Sequence, residues 1–290
     1  FAYAPKEPGA KNFLNDPGTW DLLARVKELA DRRGLLLLPE IHASYAEGIH
    51  ETIAAKGFLT YDFFLPGLLI DALDRHDASV LKRWIDELVD KGIHTVNMLG
   101  CHDGIPVLDL KGLLDEDRIQ ALIRSIVERG GYVKDLHGAK NMYYQVNATY
   151  YSALGESDAR LLLARAIQLF TPGKPQVWYL DLFAGKNDHA AVERAGSGGH
   201  KEINRTNLSL DDVDAGLGLP VVQRQLELLR FRNTFGAFGW DATCEVAKTS
   251  PEKLSITWRK GDLAATLDAD LSADTFTITA TEADGTSRAV

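Results

Sequence analysis

"LLLLPEIHASY", Leu35 to Tyr45, is the stretch on which the fold turns. Four consecutive leucines predict a strand buried on both faces, the habit of strands in parallel sheets. The run then meets Pro39, Glu40 and His42. Glu40 and His42 are two residues apart, so in extended chain they face the same way. An apolar strand that ends on a carboxylate and an imidazole presents chemistry at its C-terminal end.

Working outward, strands alternate with helices. Before the leucines, "NDPGTWDLLARVKELADRRG" carries a capping Asn15 or Asp16, Pro17 in the first turn, helical apolar spacing and a stop at Gly34. After them, "YAEGIHETIAAKG" predicts a short helix and "LTYDFFLP" a second strand. Helices over 67–76 and 78–91 lead to a third strand, "IHTVNMLG", which ends in "CHDG", Cys101 to Gly104. An excursion over about 105–155 holds a helix near 115–129. A helix over 159–170 precedes a fourth strand, "QVWYLDLF", and "PVVQRQLELLRFRN" is the last helix. From about Asp241 the apolar period becomes two, as in half-buried antiparallel strands.

Strand–helix alternation predicts an α/β fold with a parallel sheet. A doubly wound sheet would carry a glycine-rich phosphate turn. "GKND", Gly185 to Asp188, lacks that spacing and the hydroxyl residue after lysine. A (β/α)8 barrel instead gathers polar residues beyond the C-terminal ends of its strands. "PEIH", "CHDG" and "DLFAGKND" stand there. Four strands make half of such a barrel. The expected organisation is the C-terminal half of a (β/α)8 TIM barrel over 1–239, with its excursion at 105–155, then a small antiparallel β domain over 240–290.

Composition narrows the function. A net charge of −9 argues against nucleic acid or an anionic membrane as partner, so an anionic ligand needs a local basic pocket. Two distant cysteines, Cys101 and Cys244, point to a reducing, cytoplasmic setting. The opening "FAYAPKEPGAKNF" lacks the charged and apolar segments of a signal peptide and has no initiator Met, as though the chain began inside a longer one.

Glu40 and Asp103 at a barrel mouth point to glycosidic chemistry, in which one acid protonates a leaving group and other carboxylates act on the sugar cation. Each also fits a plainer role: a strand-end glutamate caps helices or pairs with a base, and "HD" closes turns. "IHETIAA" lacks the second histidine of a zinc helix. The N-x-S/T matches at Asn147, Asn204 and Asn207 carry no meaning in a cytosolic protein. Tyr143, Tyr144, Tyr150 and Tyr151 fit a sugar platform or the packing of the excursion equally well.

"PEIH" and "MLGCHDGI" resemble the third and fourth signature regions of the α-amylase clan of retaining glycoside hydrolases. "APKEPG", "YDFFLPGLLIDAL", "YQVNATYYSALG", "GKPQVWYLDLFAGKND", "INR" and "LRFRN" together resemble the sucrose phosphorylase subfamily, up to about Gly239. The resemblance implies that Glu40 is the general acid/base and Asp103 the transition-state stabiliser. It implies that His42, His102 and Arg232 contact glucose. It places the nucleophilic aspartate in an "RLDA" segment upstream of Phe1. No acidic residue here matches it, since Glu7 belongs to "KEPG". The implied partners are a small sugar and inorganic phosphate, with no cofactor and no metal.

The loop "AGSGGHKEINRTN" offers His200, Lys201 and Arg205 to phosphate or acceptor. Its histidine and lysine resemble the branch acting on sucrose 6′-phosphate more than plain sucrose phosphorylases. A surface loop, a glucosylglycerol phosphorylase, a sucrose hydrolase or transglucosylase, and an inactive scaffold are the alternatives. Half a barrel exposes open strand edges, so this length alone is expected to be inactive.

Overall fold

The computed structural model describes residues 14–135 and 143–290. "APKEPG", Glu7 and the middle of the excursion lie outside the described residues, as do the side chains of Tyr143 and Tyr144.

Helix α1 (Gly18–Asp31) begins at Pro17 without the side-chain cap expected from Asn15 or Asp16. The four-leucine run does not form the expected strand. Leu35 to Leu38 lie outside any ladder, with Leu35 57% and Leu36 77% exposed. A strand exists through its hydrogen-bonded neighbours, and no described strand pairs with this run. At Leu35 and Leu36 the apolar pattern therefore survives as an uncovered surface. Ile41 is anchored in a small cluster with Leu14, Leu23, Ile53 and Phe58, and Leu37 packs partly buried against it.

A turn at Tyr45–Glu47 and helix α2 (Ile49–Ala55) lead to β1 (Thr60–Asp62). Helices α3 (Leu65–Arg75) and α4 (Ser79–Asp90) carry the chain back to β2 (Thr95–Asn97). Asp62 explains the tight turn out of β1. Its fully buried carboxylate accepts the N–H groups of Phe64 and Leu65 at the start of α3 and the indole N–H of Trp84.

The excursion holds β3 (Ile105–Pro106), α5 (Glu116–Glu128), β4 (Tyr132–Asp135) and β5 (Tyr143–Asn147), paired antiparallel in the order β3-β5-β4. A short helix α6 (Tyr150–Ala153) precedes α7 (Asp158–Phe170). Tyr150 and Tyr151 are buried, and their hydroxyls donate to the Pro66 carbonyl and to Asp158. They pack the excursion and form no sugar platform.

The expected strand "QVWYLDLF" is displaced. Strand β6 is Lys174–Pro175, and Tyr179–Leu182 is helix α8. Beyond Pro175, the Gln176 N–H makes one further bond to this sheet, donating to the Asn97 carbonyl. The parallel sheet runs β1-β2-β6, with Thr60 opposite Thr95 and Asn97 opposite Pro175. Helices α9 (His189–Ala195), α10 (Leu210–Leu217) and α11 (Pro220–Thr234) complete the helical part, with a 3-10 turn at Gly199–Asn204 between the first two.

Strands β7 (Thr243–Ser250), β8 (Lys253–Lys260), β9 (Leu263–Asp270), β10 (Thr275–Thr281) and β11 (Ser287–Ala289) form one antiparallel sheet in sequential order. Period two is visible in β8, where Leu254, Ile256 and Trp258 all point inward. This face joins the same apolar cluster as α3, α4 and α7. The Trp258 indole donates to the carbonyl of Phe170 at the end of α7. Among the described residues, no helix is long and apolar enough to cross a membrane.

Candidate active site at the strand ends

The segments leaving β1, β2 and β6 converge on one face. Glu40 is exposed there between buried Pro39 and Ile41. It acts electrostatically on Tyr61, whose phenol is raised by burial and then by the Glu40 charge. Tyr61 stacks on Phe63, and the His42 ring lies flat on the same Phe63, with centroids 3.7 Å apart. Phe63 packs in turn with Met98 and Cys101. One apolar patch thus joins the "PEIH" segment to the ends of β1 and β2.

Asp103 is the hub of the second half of the face. Its Oδ1 takes Lys201 Nζ at 2.5 Å and the Arg205 guanidinium at 3.2 Å, with His102 Nε2 at 3.5 Å. Burial pushes its carboxyl up. The hydrogen bond and charge of Lys201, with the charges of His102 and Arg205, more than offset this and hold it below the usual carboxylate range.

The loop that carries these cations is clamped by polar groups. Asn204 Nδ2 donates to the Cys101 carbonyl at 2.6 Å, Arg205 Nε to the His102 carbonyl at 2.9 Å, and Asn147 Nδ2 to the Asp103 carbonyl at 2.6 Å. Trp178, just beyond β6, donates its indole N–H to the Asn204 carbonyl. Gly104 explains the glycine of "CHDG": at φ 104° a Cβ would stand 2.5 Å from the Val146 carbonyl oxygen. Gly198, at φ 91°, turns the chain into the segment holding His200 and Lys201. His200 is half-buried on that turn.

Beneath this face lies Asp181, wholly buried and pushed up to about 6 by desolvation, with the charge of Arg165 and the N–H groups of Gly100 and Tyr150 pulling the other way. It fixes the backbone just before "CHD". Sequence reading gave no site role to Asp181, Asp109, Asn147 or Asn204. Two of them carried a signal. In "PVLDLKG" and "WYLDLF" an aspartate stands between leucines, and a carboxylate inside an apolar run must find buried donors.

Arg232 is a correction. It stands at the opposite end of the sheet, where Nε donates to the Leu169 carbonyl at 2.8 Å and NH2 to Gly173 at 3.2 Å, just before β6. Its guanidinium covers the rings of Phe238 and Trp258. The end of α7 and the C-terminal sheet hold this side chain, so it does not join His42, His102 and Asp103.

Elsewhere, His50, Glu51 and Glu87 bring donor atoms within 4.8 Å of one another. Lys91 Nζ already sits 2.8 Å from Glu51 and 2.9 Å from Glu87, so an ammonium supplies the positive charge there.

No family model matches the chain. A sucrose 6(F)-phosphate phosphorylase of Ilumatobacter coccineus is 57% identical over 96% of the chain and 55% of that protein. The chain is a relative of the sucrose phosphorylases. The crystal structure of sucrose 6F-phosphate phosphorylase from Thermoanaerobacter thermosaccharolyticum, 34% identical, superposes with a TM-score of 0.91 over the whole chain and 58% of that structure. An α-amylase from H. orenii, 14% identical, shares the fold with a TM-score of 0.57 over 90% of the chain and 49% of its own. The chain spans about half the length of these phosphorylase relatives.

Proposed function

We propose that the complete protein is a retaining glycoside phosphorylase that splits sucrose 6′-phosphate with inorganic phosphate, giving α-D-glucose 1-phosphate and fructose 6-phosphate. The observation that carries this is the meeting of Lys201 and Arg205 on Asp103. An acidic chain has placed two cations at the carboxylate that would face the sugar, where a phosphorylase must bring an anion and a hydrolase only water. The 57% identical relative named for that reaction supports it.

In this scheme Glu40 protonates the departing fructosyl oxygen while a nucleophilic carboxylate, supplied from outside this 290-residue chain, takes the anomeric carbon. Asp103, ionised beside its cations, stabilises the oxocarbenium-like charge. Phosphate then attacks the glucosyl ester, Glu40 takes its proton, and the nucleophile is released. His200, Lys201 and Arg205 are assigned to the phosphate groups, His42 and His102 to the glucosyl unit. We place this chemistry in the cytoplasm and in carbohydrate metabolism; buried, unpaired Cys101 and Cys244 support a reducing setting.

The test is product formation by the full-length protein from sucrose 6′-phosphate with and without phosphate. Sugar phosphate is expected only when phosphate is present. Free glucose released equally in its absence would make the protein a hydrolase. The 290-residue chain alone is expected to make no sugar phosphate, and turnover by it would overturn the external nucleophile.

A further inference from the structure

We propose that Trp178 and Tyr179 are positioning residues for Arg205: they pin the chain on both sides of it and so present its guanidinium to phosphate beside Asp103. The Trp178 indole N–H donates to the Asn204 carbonyl at 3.2 Å, and the Tyr179 hydroxyl donates to the Thr206 carbonyl at 2.6 Å. Two consecutive side chains just beyond β6 thus hold the two residues that flank Arg205. With the backbone fixed on either side, only the side-chain torsions of Arg205 are left to settle. They settle on the end of β2, where Nε donates to the His102 carbonyl at 2.9 Å and NH2 to Asp103 Oδ1 at 3.2 Å.

The same stretch holds the other partner of the contact. Asp181, two residues after Tyr179, accepts the Gly100 N–H at 2.8 Å and fixes the backbone ahead of His102 and Asp103. "WYLD", Trp178 to Asp181, therefore anchors both segments that meet where Arg205 touches Asp103. Arg205 is partly exposed, and a long, part-exposed cation loses conformational entropy when it is held in one geometry. Bonds that fix its backbone beforehand lower that cost before an anion arrives. NH1 lies 3.8 Å from the Glu202 carboxylate, beyond hydrogen-bond reach. The N–H groups not taken by His102 and Asp103 are the ones a phosphate oxygen can accept. This inference rests on the proposed assignment of Arg205 to phosphate.

The test uses the full-length protein with inorganic phosphate as the probe and affinity read by calorimetry. Tyr179→Phe deletes one oxygen, and Trp178→Phe keeps an aromatic ring without the N–H. Each is expected to weaken phosphate binding about three- to tenfold, the worth of one hydrogen bond. Sucrose affinity in Tyr179→Phe should stay within about twofold of the parent. Arg205→Ala should weaken phosphate at least about tenfold, the worth of a charged hydrogen bond. Adding Tyr179→Phe to it should cost nothing more, because a residue acting through Arg205 then has nothing left to position. Unchanged phosphate affinity in either aromatic variant overturns the inference. So does an equal loss on sucrose in Tyr179→Phe, a further loss in the double variant, or a phosphate affinity indifferent to Arg205→Ala. Should Trp178→Phe fail to fold, Tyr179→Phe and the double variant decide. Phosphate affinities that behave as expected in a parent that forms no sugar phosphate overturn the phosphorylase reading alone.

Discussion

Lys201 Nζ lies 2.5 Å from Asp103 Oδ1, across 98 residues of chain. The contact joins the glycine-rich loop to the end of β2, and it is not an isolated ion pair. Arg205 and His102 meet the same oxygen, and Asn204 and Asn147 fix the backbone on either side. Exposed ion pairs contribute little. This one is partly buried and multiply held, and together with its neighbouring cations it keeps the Asp103 carboxyl below the usual carboxylate range.

Glu40→Gln in the full-length protein should lose about 10²–10⁴-fold in turnover on sucrose 6′-phosphate, the usual worth of general acid catalysis. An alkoxide leaving group needs that proton. Glucosyl fluoride hardly does, so its first step should be largely spared. Equal losses on both donors would make Glu40 structural.

The helices were legible because a period near 3.6 is a local property, and α1, α4, α5, α7 and α11 lie where the pattern puts them. The C-terminal sheet was legible for the same reason at period two. The leucine strand misled because apolar pattern reports a wish for burial, while a strand also needs a partner's backbone, and Leu35 to Leu38 have none among the described residues. Of the candidate site, Glu40 was visible as a carboxylate after the leucine run, Asp103 as one beyond a strand end, and Lys201 and Arg205 as cations on a glycine-rich loop. Asp109 and Asp181 were not, since their partners lie 67 and 81 residues away. Arg232 failed because its motif said nothing of which end of the barrel the last helix reaches.

Arg232→Met should leave KM for the sugar donor within about twofold and lower stability instead. Its two bonds to carbonyls are charge-assisted, each worth roughly 1.5–3 kcal/mol. With partial solvent access a net loss of about 2–4 kcal/mol is expected. Urea unfolding and steady-state kinetics separate the outcomes. A raised KM with unchanged stability would return Arg232 to the sugar.

Asp62 gives a pH test. Burial raises its carboxyl to about 6, against the hydrogen bonds from Trp84, Leu65 and Phe64. The folded state therefore keeps a proton that the unfolded state has already released. Its contribution to stability is full below about pH 4, declines as pH rises to about 6, and is flat above. Urea unfolding of the full-length protein and of Asp62→Asn across this window should show the stability difference moving against the parent as pH rises, by a few kcal/mol. A difference independent of pH would refute the buried, proton-holding carboxyl.

His200 and Lys201 decide the choice of sugar. In a sucrose 6′-phosphate phosphorylase, phosphate reaches the site twice: first on the leaving group, then as the nucleophile. Both visits fall on the same side of the glucosyl unit, so one basic loop serves both. Each charged hydrogen bond is worth roughly 1.5–3 kcal/mol, about ten- to a hundredfold in affinity. In the full-length protein, His200→Ala and Lys201→Ala should therefore cost more on sucrose 6′-phosphate than on sucrose. The ratio of the two kcat/KM values should fall at least about tenfold for one of them. Lys201→Ala also frees Asp103 from its nearest cation, so it should lose some activity on both donors, and only the ratio isolates the phosphate contact. A preference left untouched by both substitutions would remove the 6′-phosphate assignment and leave plain sucrose as the donor to test first.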